Sequence, residues 1–229
     1  MKPVIGIVGR PTKDLLDRTA INVLDASRRA IITNGGCPIG ILPPQDLDYV
    51  DIQNIEIGEL AEEEKEMLTR QIELCDGLLF QGGSRWYFYD EFIYKKAVEL
   101  NKPCLGYCMS MQLMGKTDMK NHGNFENLVR VEGHKSTDDY VHNVIINKDS
   151  ILYKIIGKEK IRVNSKHLFS VPEVYDLNIS ARSEDGVIEG VERKDRDFVI
   201  GLQWHPEFMY TFDEDQNKIF KYFIEKCKK

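Results

Sequence analysis

KPCLGYCMSMQLMG, residues Lys102 to Gly115, packs the signals for a strand, a turn and a helix into one short run. Pro103-Cys104-Leu105-Gly106 is an apolar stretch of the kind that forms a buried parallel strand, and Met109 to Met114 can begin a helix. A nucleophile at the tip of a tight strand-to-helix turn is the arrangement of the G-x-S-x-G elbow. Here the pattern is Gly106-Tyr107-Cys108-Met109-Ser110, with small residues at both flanks where strand and helix pass closely. Ser110 stands where such elbows usually carry glycine. A sulfur at a helix N-terminus is favoured as the thiolate, the form that attacks carbonyl carbon. Free cysteines are also common core residues, so the chemistry requires a partner for Cys108.

That partner is expected near the other end of the chain. Gly201-Leu202-Gln203-Trp204-His205-Pro206-Glu207 reads as a strand terminating in His-Pro-Glu. In an extended segment, residues two apart project to the same side, so His205 and Glu207 can meet while Pro206 stiffens the backbone between them. This supplies a base and a group to orient it, and with Cys108 it makes the nucleophile, base and third group of a triad. Upstream, Gly77-Leu78-Leu79-Phe80-Gln81 is another buried strand that stops at Gly82-Gly83, where the backbone can approach a ligand and aim amide groups at it.

LGYCMSMQLM and LQWHPE together resemble the class I glutamine amidotransferase-like superfamily, and Val163-Asn164-Ser165-Lys166-His167 resembles its gamma-glutamyl hydrolase branch, which includes gamma-glutamyl-GABA hydrolases. The resemblance implies a three-layer α/β sandwich with a mostly parallel central sheet of the flavodoxin-like type and an antiparallel β extension. It also implies an oxyanion hole made by the amides of Gly83 and Met109. Gln112, one helical turn beyond Cys108, occupies the position that the family uses to hold the gamma-glutamyl part of the substrate. Gly82 belongs to the same substrate-facing turn, Arg85 is a candidate clamp for a substrate carboxylate, and His167 either lines the pocket or caps a loop. The chain departs from the family at Ser84-Arg85-Trp86-Tyr87-Phe88-Tyr89, where an acidic, proline-containing loop is usual. It departs again at Leu168 and Phe169, which replace a second histidine and a glutamine, and in lacking a glycine-rich apolar stretch after the elbow.

Around these motifs the pattern predicts one α/β domain over residues 1–229. Val4 to Val8 is an apolar strand, Asp17 to Asn34 a helix with Ile21, Leu24, Arg28 and Ile31 at helical spacing, and Pro38 to Leu42 a second strand. This β-α-β opening implies a parallel sheet with a right-handed crossover. Gln45 to Gly58 is expected to be a loop and Leu60 to Cys75 a surface helix. Asp90 is the expected cap of a helix to Asn101. Met114 to Asp139 is a polar excursion near the site, followed by β texture at Val141 to Ile146, Lys160 to Asn164, Leu177 to Arg182, Val187 to Glu192 and Phe198 to Gln203. Ile219, Phe220, Phe223 and Ile224 form the apolar face of a last helix behind Asp213.

The net charge of −6 and the absence of a dense basic cluster exclude an electrostatic case for nucleic acid or an anionic membrane. No apolar run approaches the roughly 20 residues of a membrane span, and the N-terminal run is too short for a signal peptide, so the expected compartment is the cytoplasm. Five cysteines without framework spacing fit reduced thiols there. His122, His134 and His142 fall in or just after the polar excursion without metal-ligand spacing, so no metal is expected, and the chemistry asks for no organic cofactor.

Three functions fit these residues. One is a stand-alone hydrolase of small gamma-glutamyl amines, as the absence of a synthetase segment and the Val163 to His167 motif imply. Another is a glutaminase subunit that passes ammonia to a synthetase partner. The third is a catalytically silent binding module, against which an intact Cys108, His205 and Glu207 argue. Whether the chain forms a homo-oligomer is not written in these patterns, nor is the identity of the leaving amine.

Overall fold

The structure is a computed structural model and describes residues 1–45, 59–121, 123 and 126–228; most of the Gln45 to Gly58 segment and His122 lie outside the described residues. The chain opens with β1 (Val4–Val8), a hairpin of β2 (Arg10–Lys13) and β3 (Thr19–Asn22), α1 (Asp25–Thr33) and β4 (Cys37–Ile41). It continues through α2 (Glu62–Glu73), β5 (Gly77–Phe80), α3 (Phe88–Glu99), β6 (Cys104–Tyr107) and α4 (Met109–Lys116). The second half holds β7 (Val129–Arg130), β8 (His142–Ile146), α5 (Ile151–Ile156), β9 (Lys160–Val163), β10 (Phe169–Ser170), β11 (Asn178–Ser183), β12 (Ile188–Glu192) and β13 (Val199–Leu202), then a 3₁₀ turn at Pro206–Phe208 and α6 (Glu214–Lys226).

A nine-stranded sheet in the order β4-β1-β5-β6-β13-β12-β11-β8-β9 organises the molecule. From β4 to β13 neighbouring strands run parallel, and from β13 to β9 they run antiparallel. The expected parallel sheet and antiparallel extension are therefore halves of one sheet, joined at β13. Strands β5, β6 and β13 are buried along their whole length, which is why their sequences are unbroken apolar runs rather than alternating ones. Alternation survives in where the side chains go. Ile5, Ile7, Leu79 and Leu105 pack on one face with Ile31 of α1 and Ile219, Phe220 and Phe223 of α6. Leu78, Phe80 and Cys104 pack on the other with Leu68 and Ile72 of α2, Ile93 and Ala97 of α3 and Met114 of α4. These are the three layers.

Two local expectations are corrected. The helix expected from Asp17 begins only at Asp25, because the preceding residues form the β2–β3 hairpin. Asp14 turns the chain there by accepting from the amides of Leu16 and Arg18 at 2.8 and 2.9 Å, and Asp17 takes a left-handed φ of 59°. Asp90 sits inside the first turn of α3 rather than at its N-cap position, which is Tyr87, and caps the helix from there by accepting from the amide of Tyr87 at 2.8 Å.

Candidate functional site

The site assembles at the C-terminal ends of the central parallel strands. Between β6 and α4, Cys108 adopts φ 56° and ψ −121°. A non-glycine residue held there costs about 1–3 kcal/mol of strain, as a nucleophile elbow requires. The strain is held by the Cys108 amide donating to Leu202 O at 2.8 Å and by Met111 N donating to Cys108 O at 3.0 Å. A Cβ on Gly106 would lie 2.6 Å from Met114 Cε and 3.4 Å from Ser110 Cβ, so strand and helix pack closely here and a side chain would require Met114 to move.

Ser110, in the position where glycine is usual, is fully buried and belongs to a polar network behind the elbow. Its hydroxyl donates to Gln81 O at 2.7 Å and accepts from Arg10 Nη2 at 3.0 Å. Arg10 also donates to Gln81 O at 3.0 Å and forms a buried ion pair with Asp90. The network bolts the β2 hairpin, the end of β5, α3 and α4 together. None of these polar partners shows in the local sequence pattern, because they are gathered from four separate segments.

His205 does not project from an extended strand. β13 ends at Leu202, and Pro206–Phe208 forms a 3₁₀ turn, so the histidine and the glutamate approach each other around a turn. They meet nonetheless: His205 Nδ1 lies 2.7 Å from Glu207 Oε1. Proline at the first position of the turn carries no amide that needs an acceptor. Asn164, just beyond β9, clamps the His205 backbone from both sides, accepting from its amide at 2.9 Å and donating to its carbonyl at 2.8 Å. Burial works to lower the His205 pKa, but the charge of Glu207 and the hydrogen bonds to Cys108 and Glu207 outweigh it and raise the imidazole to about 10. Pairing β13 beside β6, with Leu202 opposite Tyr107, sets His205 and Cys108 at neighbouring strand ends. Gly82 lies between them, where an added Cβ would be 3.1 Å from His205 Cε1 and 3.3 Å from Cys108 Cβ.

A cavity of about 670 Å³ opens over Cys108, and Gly83, Arg85, Met109, Gln112 and His167 line it. A Cβ at Gly83 would meet Met109 Cε at 3.2 Å, so the two residues named for an oxyanion hole adjoin. Gln112 uses its amide nitrogen on Phe169 O at 2.7 Å and Gln203 Oε1 at 3.2 Å. The Arg85 guanidinium stands 5.4 Å from the centre of the Tyr87 ring. His167 lines the cavity, but its ring nitrogens are turned to the protein, Nδ1 to Phe169 O at 3.1 Å and Nε2 to Glu189 at 3.5 Å. Around that same glutamate the fold also gathers His134 and His142, which lie far from His167 in sequence. Gly82, His205 and Glu207 line a smaller cavity of about 270 Å³ together with Arg10.

Among relatives of known description, protein NtpR of Enterococcus hirae is 28% identical over 147 residues, 60% of each chain. A CTP synthase of Thermosipho africanus is 27% identical over 208 residues, which is 75% of this chain but 39% of the synthase. The matched stretches thus span less than two thirds of these relatives. In fold, the glutaminase domain of Trypanosoma brucei CTPS, solved with bound acivicin, superposes with a TM-score of 0.65 at 19% identity over 98% of this chain and 93% of that one. A glutamine amido transferase from Methylobacillus flagellatus superposes with a TM-score of 0.57 at 13% identity over 92% and 72%. At such identities the superpositions bear on the fold, which is the mixed α/β architecture of glutamine amidotransferases. The sequence pattern of Peptidase C26 matches residues 87–207, from the loop before α3 through Cys108 to Glu207. The chain belongs to the Peptidase C26 family.

Proposed function

We propose that this protein is a cysteine-dependent hydrolase that cleaves the gamma-glutamyl amide bond of a small gamma-glutamyl amine. The observation that carries this reading is the strained Cys108 beside an imidazole that is itself bound to Glu207 at 2.7 Å. His205, lifted to about 10, rests as an imidazolium beside Cys108, whose thiolate is the attacking form. Cys108 Sγ attacks the side-chain carbonyl, and the developing oxyanion takes the amides of Gly83 and Met109. His205 gives its proton to the leaving amine as the carbon–nitrogen bond breaks. The glutamyl thioester is then attacked by water, His205 takes the water's proton, and glutamate leaves as the thiolate and imidazolium are restored. Glu207 holds the imidazole in orientation and stabilises its cation. Gln112, Arg85 and His167 form the substrate wall, with Gly82 in the adjoining smaller cavity, Gln112 held by Phe169 and Arg85 the clamp for a substrate carboxylate. No organic cofactor enters these steps.

The relatives support a second reading, a glutaminase that delivers ammonia to a synthetase partner, since CTP synthase and a glutamine-hydrolyzing GMP synthase are among them. Glutamate release from a panel of gamma-glutamyl amines and from free glutamine, with Cys108→Ala as control, separates the two. Preferential turnover of one gamma-glutamyl amine, lost in the variant, supports the hydrolase. Silence on the whole panel with a Cys108 that iodoacetamide still alkylates rejects it in favour of the partner-dependent glutaminase. Among the described residues no helix is long and apolar enough to cross a membrane.

A further inference from the structure

His134, His142, His167 and Glu189 come from the loop before β8, from β8 itself, from the loop after β9 and from β12. Their donor atoms all lie within 4.8 Å of one another. Glu189, His134 and His167 are at most 4% exposed, and His142 is half-buried. His134 Nδ1, His142 Nε2, His167 Nε2 and both oxygens of Glu189 are buried without a hydrogen-bond partner, the costliest state for such atoms.

The partner of the other nitrogen of each ring points to its tautomer. His134 Nε2 lies 3.0 Å from Asp185 Oδ2, His142 Nδ1 lies 3.3 Å from Asn143 O, and His167 Nδ1 lies 3.1 Å from Phe169 O. All three outer partners are pure acceptors, so the outer nitrogens carry the protons. A neutral imidazole has one N–H, and the inner nitrogens therefore turn lone pairs toward a carboxylate that also offers lone pairs. Four electron pairs converging in a buried space repel unless a cation lies between them. A proton on His134 Nδ1 would relieve one of these contacts but leave His142 Nε2 and His167 Nε2 facing Glu189 as lone pairs, and protonating all three rings would place three positive charges around one carboxylate. A carboxylate or backbone carbonyl on the far side of each ring is also the outer support that metal-bound histidines use.

We propose that His134 Nδ1, His142 Nε2, His167 Nε2 and a Glu189 oxygen bind one divalent transition-metal ion of the zinc class. Bonds of about 2.0–2.1 Å in a tetrahedron place neighbouring donors about 3.3 Å apart. The three imidazole nitrogens stand 3.2, 3.5 and 3.5 Å from Glu189 Oε1. Imidazole and carboxylate together suit zinc and its first-row neighbours rather than magnesium or calcium, which take oxygen ligands. Four protein donors close the coordination sphere, so the ion is structural and does not enter the acyl-transfer steps. It fastens the wall of the Cys108 cavity, because His167 and the adjacent Lys135, Lys166 and Phe169 line that cavity. The backbone already links the same segments, with His167 N donating to His134 O at 2.9 Å.

The test uses the full chain carrying Cys108→Ala, so that zinc cannot bind the reactive cysteine and be mistaken for this site. Zinc content is measured after equilibration with buffered free Zn²⁺, and Co²⁺ is added to chelator-treated protein to record its visible spectrum. The expected result is one ion per chain, an intense tetrahedral Co²⁺ spectrum and a rise in melting temperature with Zn²⁺ but not with Mg²⁺. Glu189→Gln, which preserves shape, and His142→Gln, at the half-exposed edge, should each weaken binding by at least ~10-fold. If Glu189→Gln does not fold, His142→Gln alone decides. Absence of stoichiometric zinc, or binding that both variants leave unchanged, overturns the proposal.

Discussion

Asn164 holds the backbone of His205 with two hydrogen bonds, Oδ1 accepting from the amide at 2.9 Å and Nδ2 donating to the carbonyl at 2.8 Å. A residue just beyond the edge strand β9 thereby fixes one just beyond the central strand β13. Asn164→Ala should cost about 1–3 kcal/mol of stability by leaving buried backbone groups unpaired. It should also lower kcat by about 10²-fold through misplacement of the imidazole. KM should change little, since Asn164 touches His205 rather than the cavity wall. Steady-state kinetics on the substrate found in the panel, beside a denaturant titration, checks both numbers.

Gly82 separates Cys108 from His205 by a margin that a methyl group would consume. Gly82→Ala should leave a folded protein, with an unchanged circular dichroism spectrum, whose glutamate release falls by about 10²-fold or more. Iodoacetamide labelling of Cys108 should slow in parallel. Wild-type activity in this variant would show that the turn relaxes freely and that the close approach has no catalytic weight.

Arg10 is the cation that balances the fully buried Asp90. Arg10→Met should destabilise the fold by about 3–5 kcal/mol, because it strands a buried carboxylate. Adding Asp90→Asn should recover part of that loss, since the amide still accepts from Tyr87 N without carrying charge. Chemical denaturation of the single and double variants gives the coupling directly.

The pH dependence follows from His205. Its folded pKa of about 10 stands above the ordinary imidazole value, so its ionisation stabilises the native state. That contribution is fully present below about pH 6.5, declines as pH rises, and is lost on passing through about pH 10. In Glu207→Gln the raising charge is gone, and the fall in stability between pH 7 and pH 10 should be shallower than in the wild type. Equal slopes in the two proteins would refute the assignment.

Much of the site can be read from neighbouring residues. Gly106 to Ser110 and His205 to Glu207 are contiguous motifs whose chemistry depends on local geometry, and the apolar runs at β5, β6 and β13 announce burial on both faces. Other features stay hidden because their partners are distant in sequence. Ser110 looks like a departure from the elbow pattern until Arg10 and Gln81 are seen to bond it. The histidines have no ligand spacing in the linear chain, yet antiparallel pairing of β8 with β9 and β11, and of β11 with β12, converges them on Glu189. The helix expected from Asp17 gives way to a hairpin, since a weak helical pattern yields to the turn made by Asp14 and the burial of Arg10.

The α/β alternation, the strand-turn-helix around Cys108 and the His205–Glu207 pair are legible along the chain, because each depends on residues within a turn or two of one another. The clamp of Asn164 on His205, the place of Arg10 and Asp90 behind the elbow, and the meeting of three histidines at one buried carboxylate emerge only when the chain is folded. Those relationships depend on strand order and register, which arise from packing both faces of one sheet and are not encoded in any local spacing.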